Sequence, residues 1–280
     1  MQYTMENNSL GKQIVVYTTL AFMLLCALFP LYWMLNTSFK STGEIYRLVP
    51  TYWPEAFSWD AYVKLLNEKG FMVNIRNSLV VSLTVSLFSI AVSMLAAYAI
   101  SKLKFRGRSL ISKGILYAYL MPRAVLFIPL YMLVSAIGIS NSIYGLMLIY
   151  PTITIPYATW MLISYFKSIP VEIEEAAMID GCSRARTLRS IIFPLAAPGL
   201  AATFIFAFTL CWSEYLYALV IVTKTADKTI TLGLSEMIVG DVFAWGPLMG
   251  GSIIASIPVI IMYLFTSKYM VSGMTVGGVK

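Results

Sequence analysis

The chain has 280 residues, 59% of them hydrophobic and only 12% charged, with a net charge of +7 and a mean hydropathy of +0.78. Soluble proteins carry about a quarter charged residues, so this composition points to an integral membrane protein. Histidine is absent, which excludes a Ser-His-Asp triad, an imidazole base and the usual histidine-ligated zinc site.

Six apolar runs of the length needed to cross a bilayer are expected as helices at 14–35, 79–100, 114–134, 143–166, 198–222 and 248–265. The runs are uninterrupted rather than alternating, so a barrel is excluded and an all-α fold of six transmembrane helices in one domain, residues 1–280, is expected. The first run follows Lys12 and resembles a signal sequence in that respect. Its apolar stretch is too long for one and no small-residue cleavage site follows, so it is expected to be retained.

The connection after the second run holds Lys102, Lys104, Arg106, Arg108 and Lys113, and the connection after the fourth holds Arg184, Arg186 and Arg189. Basic residues gather on the cytoplasmic side. This places both termini in the cytoplasm of a multi-pass protein of the cell membrane. The same cations are then expected to face anionic lipid, which makes nucleic acid a poor partner. The loop at 40–77, with Tyr52, Trp53, Pro54 and Trp59, faces outward on this topology.

Inside the third run Arg123 lies between Pro122 and Ala124, where a charge must face protein or water. The fourth run contains Pro151 and Pro156 with Thr152, Thr154 and Thr159, and it is expected to be broken and to border a cavity. In the fifth run Glu214 stands among Trp212, Tyr215 and Tyr217. Aromatic faces beside hydrogen-bonding groups suit a sugar, and they equally suit an interfacial aromatic belt. Arg123, Tyr150, Trp212, Glu214 and Tyr215 are the candidate substrate pathway, with Arg123 and Glu214 at similar depth and able to pair. Cys26, Cys182 and Cys211 have neither disulfide nor metal spacing. The glycine-rich tail at 273–280 does not complete a phosphate-binding loop, so no catalytic residue, metal or cofactor is expected in this chain.

The polar segment at 168–197 is the most informative. Ser168 and Pro170 open a short helix with Glu172, Glu174 and Glu175 in its first turn, where carboxylates meet the positive end of the helix dipole. Ala176 and Ala177 permit close approach, and Gly181 stands where a left-handed closing residue is needed. Ser183 caps a second helix bearing Arg184, Arg186 and Arg189, expected to end at Pro194. On composition alone this is an amphipathic pair lying on the bilayer.

The residue order says more. Glu175-Ala176-Ala177, three residues, Gly181, nine residues, then Ile191, Phe193 and Pro194 resemble the cytoplasmic loop of binding-protein-dependent ABC importer permeases. PLYWMLNTSFK at 30–40 and SGMTVGGVK at 272–280 resemble the carbohydrate branch, whose members are similar to the maltose-system subunit MalG. Phe193 stands where that family usually has leucine, and Cys182 where it often has alanine. The resemblance implies that the segment between helices four and five is a coupling helix docking on an ATPase, with Glu174, Glu175, Ala176, Ala177, Asp180, Gly181 and Arg184 as ATPase-coupling residues. It implies a single permease domain moving a carbohydrate by alternating access. The implied partners are a second, MalF-like permease chain, two MalK-like ATPase subunits that bind ATP and magnesium, an extracytoplasmic solute-binding protein and membrane lipid. The rival readings are an ion-coupled secondary transporter using Arg123 and Glu214, and a membrane scaffold or intramembrane enzyme.

Overall fold

The computed structural model describes residues 10–67, 70–239 and 242–276. It is almost entirely helical, and it falls into two compact units, residues 1–68 with 237–254 and residues 69–236 with 255–280.

In the first unit α1 (Leu10–Ser38) is long and apolar, and none of its most apolar eighteen residues is buried within the chain. After it, α2 (Thr42–Ile45) is capped by the Ser41 hydroxyl and α3 (Asp60–Asn67) buries Ala61 and Leu65. Rings pack edge-on around Phe39, whose centroid is 5.0 Å from that of Trp59 and 5.9 Å from that of Phe57. The loop expected to face outward is thus a folded aromatic cluster.

The second unit is organised by α4 (Phe71–Lys102). Its buried face includes Asn74, Asn77 and Ser78, and from Ser78 it runs through Ser82, Ser86, Ser89 and Ser93 in steps of three and four that place small polar residues on one stripe. Between apolar helices in lipid, small side chains permit close backbone approach and hydroxyls can bond across the interface. Ser89 and Thr154 hydroxyls are 2.6 Å apart, the Ser93 hydroxyl donates to Ile155 O (3.1 Å), and the Ser78 hydroxyl accepts from the Ile230 N–H (2.8 Å).

Next come α5 (Arg108–Leu120) and α6 (Arg123–Ala136), which meet at a 97° bend, so the expected third span is broken rather than straight. Pro122 explains this: the residue before a proline is driven out of helical geometry, and Met121 is extended at φ −65°, ψ 130°. The fourth span behaves differently from expectation. α7 (Ile143–Ile149) and α8 (Pro151–Ser168) run on as one candidate span through Tyr150, which stays helical at φ −58°, ψ −30°. Hydroxyls of Thr152 and Thr154 donate to Ile149 O (2.7 Å) and Tyr150 O (3.1 Å), local bonds that support the chain around the proline, and Thr152 and Ile153 line a small cavity with Met121, Arg123 and Leu126.

After α8 come α9 (Val171–Ile179) and α10 (Arg184–Thr187), then a π-helical turn at Leu188–Ile192 that leads directly into α11 (Phe193–Trp212). Pro194 therefore ends nothing. It lies directly after the π-helical turn, inside the continuous helical stretch. The fifth span is one stretch, Arg184–Trp212, starting earlier than expected and stopping well before residue 222. Beyond the stop lie α12 (Leu216–Ile221) and α13 (Ile230–Ser235).

Strands β1 (Ile238–Val239) and β2 (Val242–Phe243) pair antiparallel before α14 (Trp245–Val276). Residues 277–280 of the tail motif lie outside the described residues. Among the described residues five helices are long and apolar enough to span a membrane, and the bent α5–α6 pair, taken as one span, makes six. Two apolar clusters fill the second unit: one around Val85, Ile149, Tyr150, Tyr217 and Leu232, the other around Ala97, Leu162, Phe166, Ile192 and Ala196.

Candidate functional site

The segment after α8 is a helix, a tight turn and a second helix start. α9 ends in a Schellman turn: the Cys182 N–H bonds Ala177 O (3.0 Å), the Gly181 N–H bonds Met178 O (3.1 Å), and Gly181 adopts φ +83°. Asp180 closes the last helical turn through its own N–H to Ala176 O (2.9 Å), and its side chain is exposed. The Ser183 hydroxyl accepts from the Arg186 N–H (3.4 Å), which caps the next helix as the sequence implies.

The two adjacent glutamates point to different surroundings. Glu174 is buried and its carboxylate accepts from the Tyr98 hydroxyl (3.2 Å) and lies 3.4 Å from the Lys102 ammonium. Lys102 also donates to Ile169 O at 2.6 Å. Its side chain is only 6% exposed, so Lys102 is not one of the lipid-facing cations expected from its flank. Glu175, Ala176 and Arg184 are exposed, whereas Ala177 is buried under the turn. A cavity of about 480 Å³ opens beside them, lined in part by Lys102, Lys104, Glu174, Glu175, Met178 and Arg184. Tyr98 and Lys102 were not legible as site residues, because a tyrosine and a lysine at a span's end carry no mark of an inward partner. The coupling set therefore divides into one inward anchor, Glu174, and an outward face.

The second candidate group lies where α11 stops. Glu214 is buried, and its carboxylate accepts from the N–H groups of Tyr217 and Ala218 and from the Tyr150 hydroxyl, each at 3.1 Å. These are the otherwise unsatisfied donors at the start of α12, so Glu214 caps that helix. The Thr231 hydroxyl donates to its carbonyl (2.8 Å). Among the described residues no ion pair joins Glu214 to Arg123. Their connection runs through Tyr217, whose hydroxyl donates to the Arg123 carbonyl (3.3 Å). Trp212 is buried, stacked on Phe208 at 5.6 Å and donating its indole N–H to Ala255 O (3.0 Å). Tyr150, Trp212 and Glu214 are thus fastened inside the packing, while Arg123 and Tyr215 are exposed.

Residues 89–271 match the family described as binding-protein-dependent transport system inner membrane component. The chain belongs to this family. It is 37% identical to the inner membrane ABC transporter permease protein YcjP of Escherichia coli (strain K12), covering 96% of this chain and 97% of that one. It is 34% identical to the trehalose/maltose transport system permease protein MalG of Thermococcus litoralis over 96% of this chain and 97% of the relative. It is 33% identical to the diacetylchitobiose uptake system permease protein DasC of Streptomyces coelicolor over 90% and 91% of the two chains. The fold is shared with a chain of a bacterial ABC transporter involved in the import of the acidic polysaccharide alginate, at a TM-score of 0.80 and 23% identity, covering 94% of this chain and 99% of that one. Such a permease is a transport subunit of an ABC transporter, not itself an enzyme. The membership favours an ATP-driven importer over the secondary transporter.

Proposed function

We propose that the chain is the permease subunit of a binding-protein-dependent carbohydrate importer, forming one permease domain with both termini in the cytoplasm. It pairs with a second permease chain and docks on two ATPase subunits, which bind ATP and magnesium, and it receives solute from an extracytoplasmic binding protein. The carbohydrate class is supported by relatives named for trehalose/maltose and diacetylchitobiose.

The carrying observation is the build of α9, held inward by Glu174 and presenting Glu175, Ala176 and the Gly181 turn outward beside an open cavity. A partner that grips this face can displace the segment as a unit, and the unbroken stretch Arg184–Trp212 carries that displacement into the bilayer. Glu175 and Arg184 are the polar contacts for the ATPase, Asp180 and Gly181 shape the turn, and Ala177 lets it pack. Arg123 and Tyr215, exposed near the two breaks in the spans, are the groups open to solute, and Tyr150, Trp212 and Glu214 hold the wall behind them.

The test is uptake of labelled maltooligosaccharides and chitooligosaccharides by proteoliposomes holding the complete complex. Uptake that follows internal ATP and ignores ion gradients is expected, and uptake driven by a proton or sodium gradient without ATP would overturn the assignment.

A further inference from the structure

Resting on the docking role of α9, we infer that Lys102 and Tyr98 are positioning residues that tie this segment to α4, so that its displacement is delivered directly to the central helix of the unit. The covalent paths from α9 lead backward through Ile169 and Pro170 to α8 and forward through the Gly181 turn to α10. Neither reaches α4. Beside the apolar packing of α4 against α8 and Ile173, the polar link from α4 to this corner is made by the Tyr98 hydroxyl on Glu174 (3.2 Å), the Lys102–Glu174 ion pair (3.4 Å) and the Lys102 ammonium on Ile169 O (2.6 Å). One ammonium thus holds both the end of α8 and the first turn of α9, and fixes the corner between them.

Burial decides what such a pair is for. The two side chains are 6% and 9% exposed, and at that depth the loss of hydration largely offsets the attraction, so an apolar pair of similar volume would be as stable. Apolar packing is tolerant of sliding, whereas the directed bonds of the Tyr98 hydroxyl to Glu174 and of the Lys102 ammonium to Ile169 O, beside the ion pair, specify one position. The pair therefore contributes position rather than stability. The apolar layer beneath it, around Phe166, Ile169 and Ile192, would survive its removal.

The experiment uses the reconstituted complex and the double variant Lys102→Met/Glu174→Met, which removes the tie without leaving an unpaired charge. Solute moved per ATP hydrolysed is the readout, since a merely stabilising role would not change it in complexes assembled at normal yield. The ratio is expected to fall by about fivefold or more, the usual lower range of energetic coupling between sites, with hydrolysis retained. The swapped pair Lys102→Glu/Glu174→Lys is expected to recover part of it. A double variant with the unaltered ratio would overturn the inference. Should it fail to assemble, Tyr98→Phe, which deletes a single hydroxyl, decides: a lowered ratio supports the tie and an unchanged one overturns it. Failure of the docking reading itself is seen separately, as absence of any ATPase from the purified unaltered complex.

Discussion

Glu174 and Glu214 are both buried carboxylates that accept a tyrosine hydroxyl, from Tyr98 in one case and Tyr150 in the other. Beyond that they are held by different means. Glu174 faces a lysine on another helix, a bond between two elements distant in sequence. Glu214 faces the backbone N–H groups of Tyr217 and Ala218, a bond between neighbours in the chain. The first fastens one helix to another, and the second satisfies the backbone donors at the break between α11 and α12, since unsatisfied backbone groups are expensive inside a membrane. Two acids that look alike in sequence therefore bridge distant helices at one end of the unit and shape a helix break at the other.

The largest effect is expected from Lys102→Ala, which strands a buried carboxylate and should destabilise the purified chain by about 3–5 kcal/mol. A thermal-unfolding series checks this, and the double Met variant should regain most of the loss. Glu214→Ala should cost about 1–3 kcal/mol, because it leaves two backbone donors without their acceptor, and Glu214→Gln should cost less because one acceptor oxygen remains. If Glu214 served only to bind solute, stability would not change and only uptake would fall. Gly181→Ala should cost about 1–2 kcal/mol from the left-handed backbone, since an added Cβ there meets no atom within 4 Å. Its uptake should fall further than its stability, as the turn belongs to the docking face. The smallest change in stability is expected for Arg123→Gln, within about 0.5 kcal/mol for an exposed side chain, combined with reduced uptake in the same proteoliposomes.

Much of this was legible in the sequence because lipid imposes simple rules. Six apolar runs gave the spans, and Gly181 and Ser183 gave the turn and the cap, since each has one backbone conformation or bond that its residue type favours. The proline rules were less decisive: Pro122 broke its span while Pro151 did not, the difference lying in whether the preceding residue leaves helical geometry, at Met121, or keeps it, at Tyr150. Span ends also shifted, because the π-helical turn at Leu188–Ile192 lets a polar helix continue into an apolar one without a cap. The inward turn of Glu174 was not legible. Its neighbour Glu175 has the same chemistry, and only packing against Tyr98 and Lys102, some seventy residues earlier in the chain, separates their roles.

The central claim is that the outward face of α9 docks an ATPase. Its most direct test is affinity purification of the chain from its native membrane in mild detergent, with Glu175→Lys and Glu174→Gln alongside the unaltered protein. A nucleotide-binding subunit and a second permease should co-purify with the unaltered chain. Reversal at Glu175 should remove the nucleotide-binding subunit while Glu174→Gln retains it. A chain that purifies alone, or a Glu175→Lys variant that keeps its ATPase in full, would contradict the account.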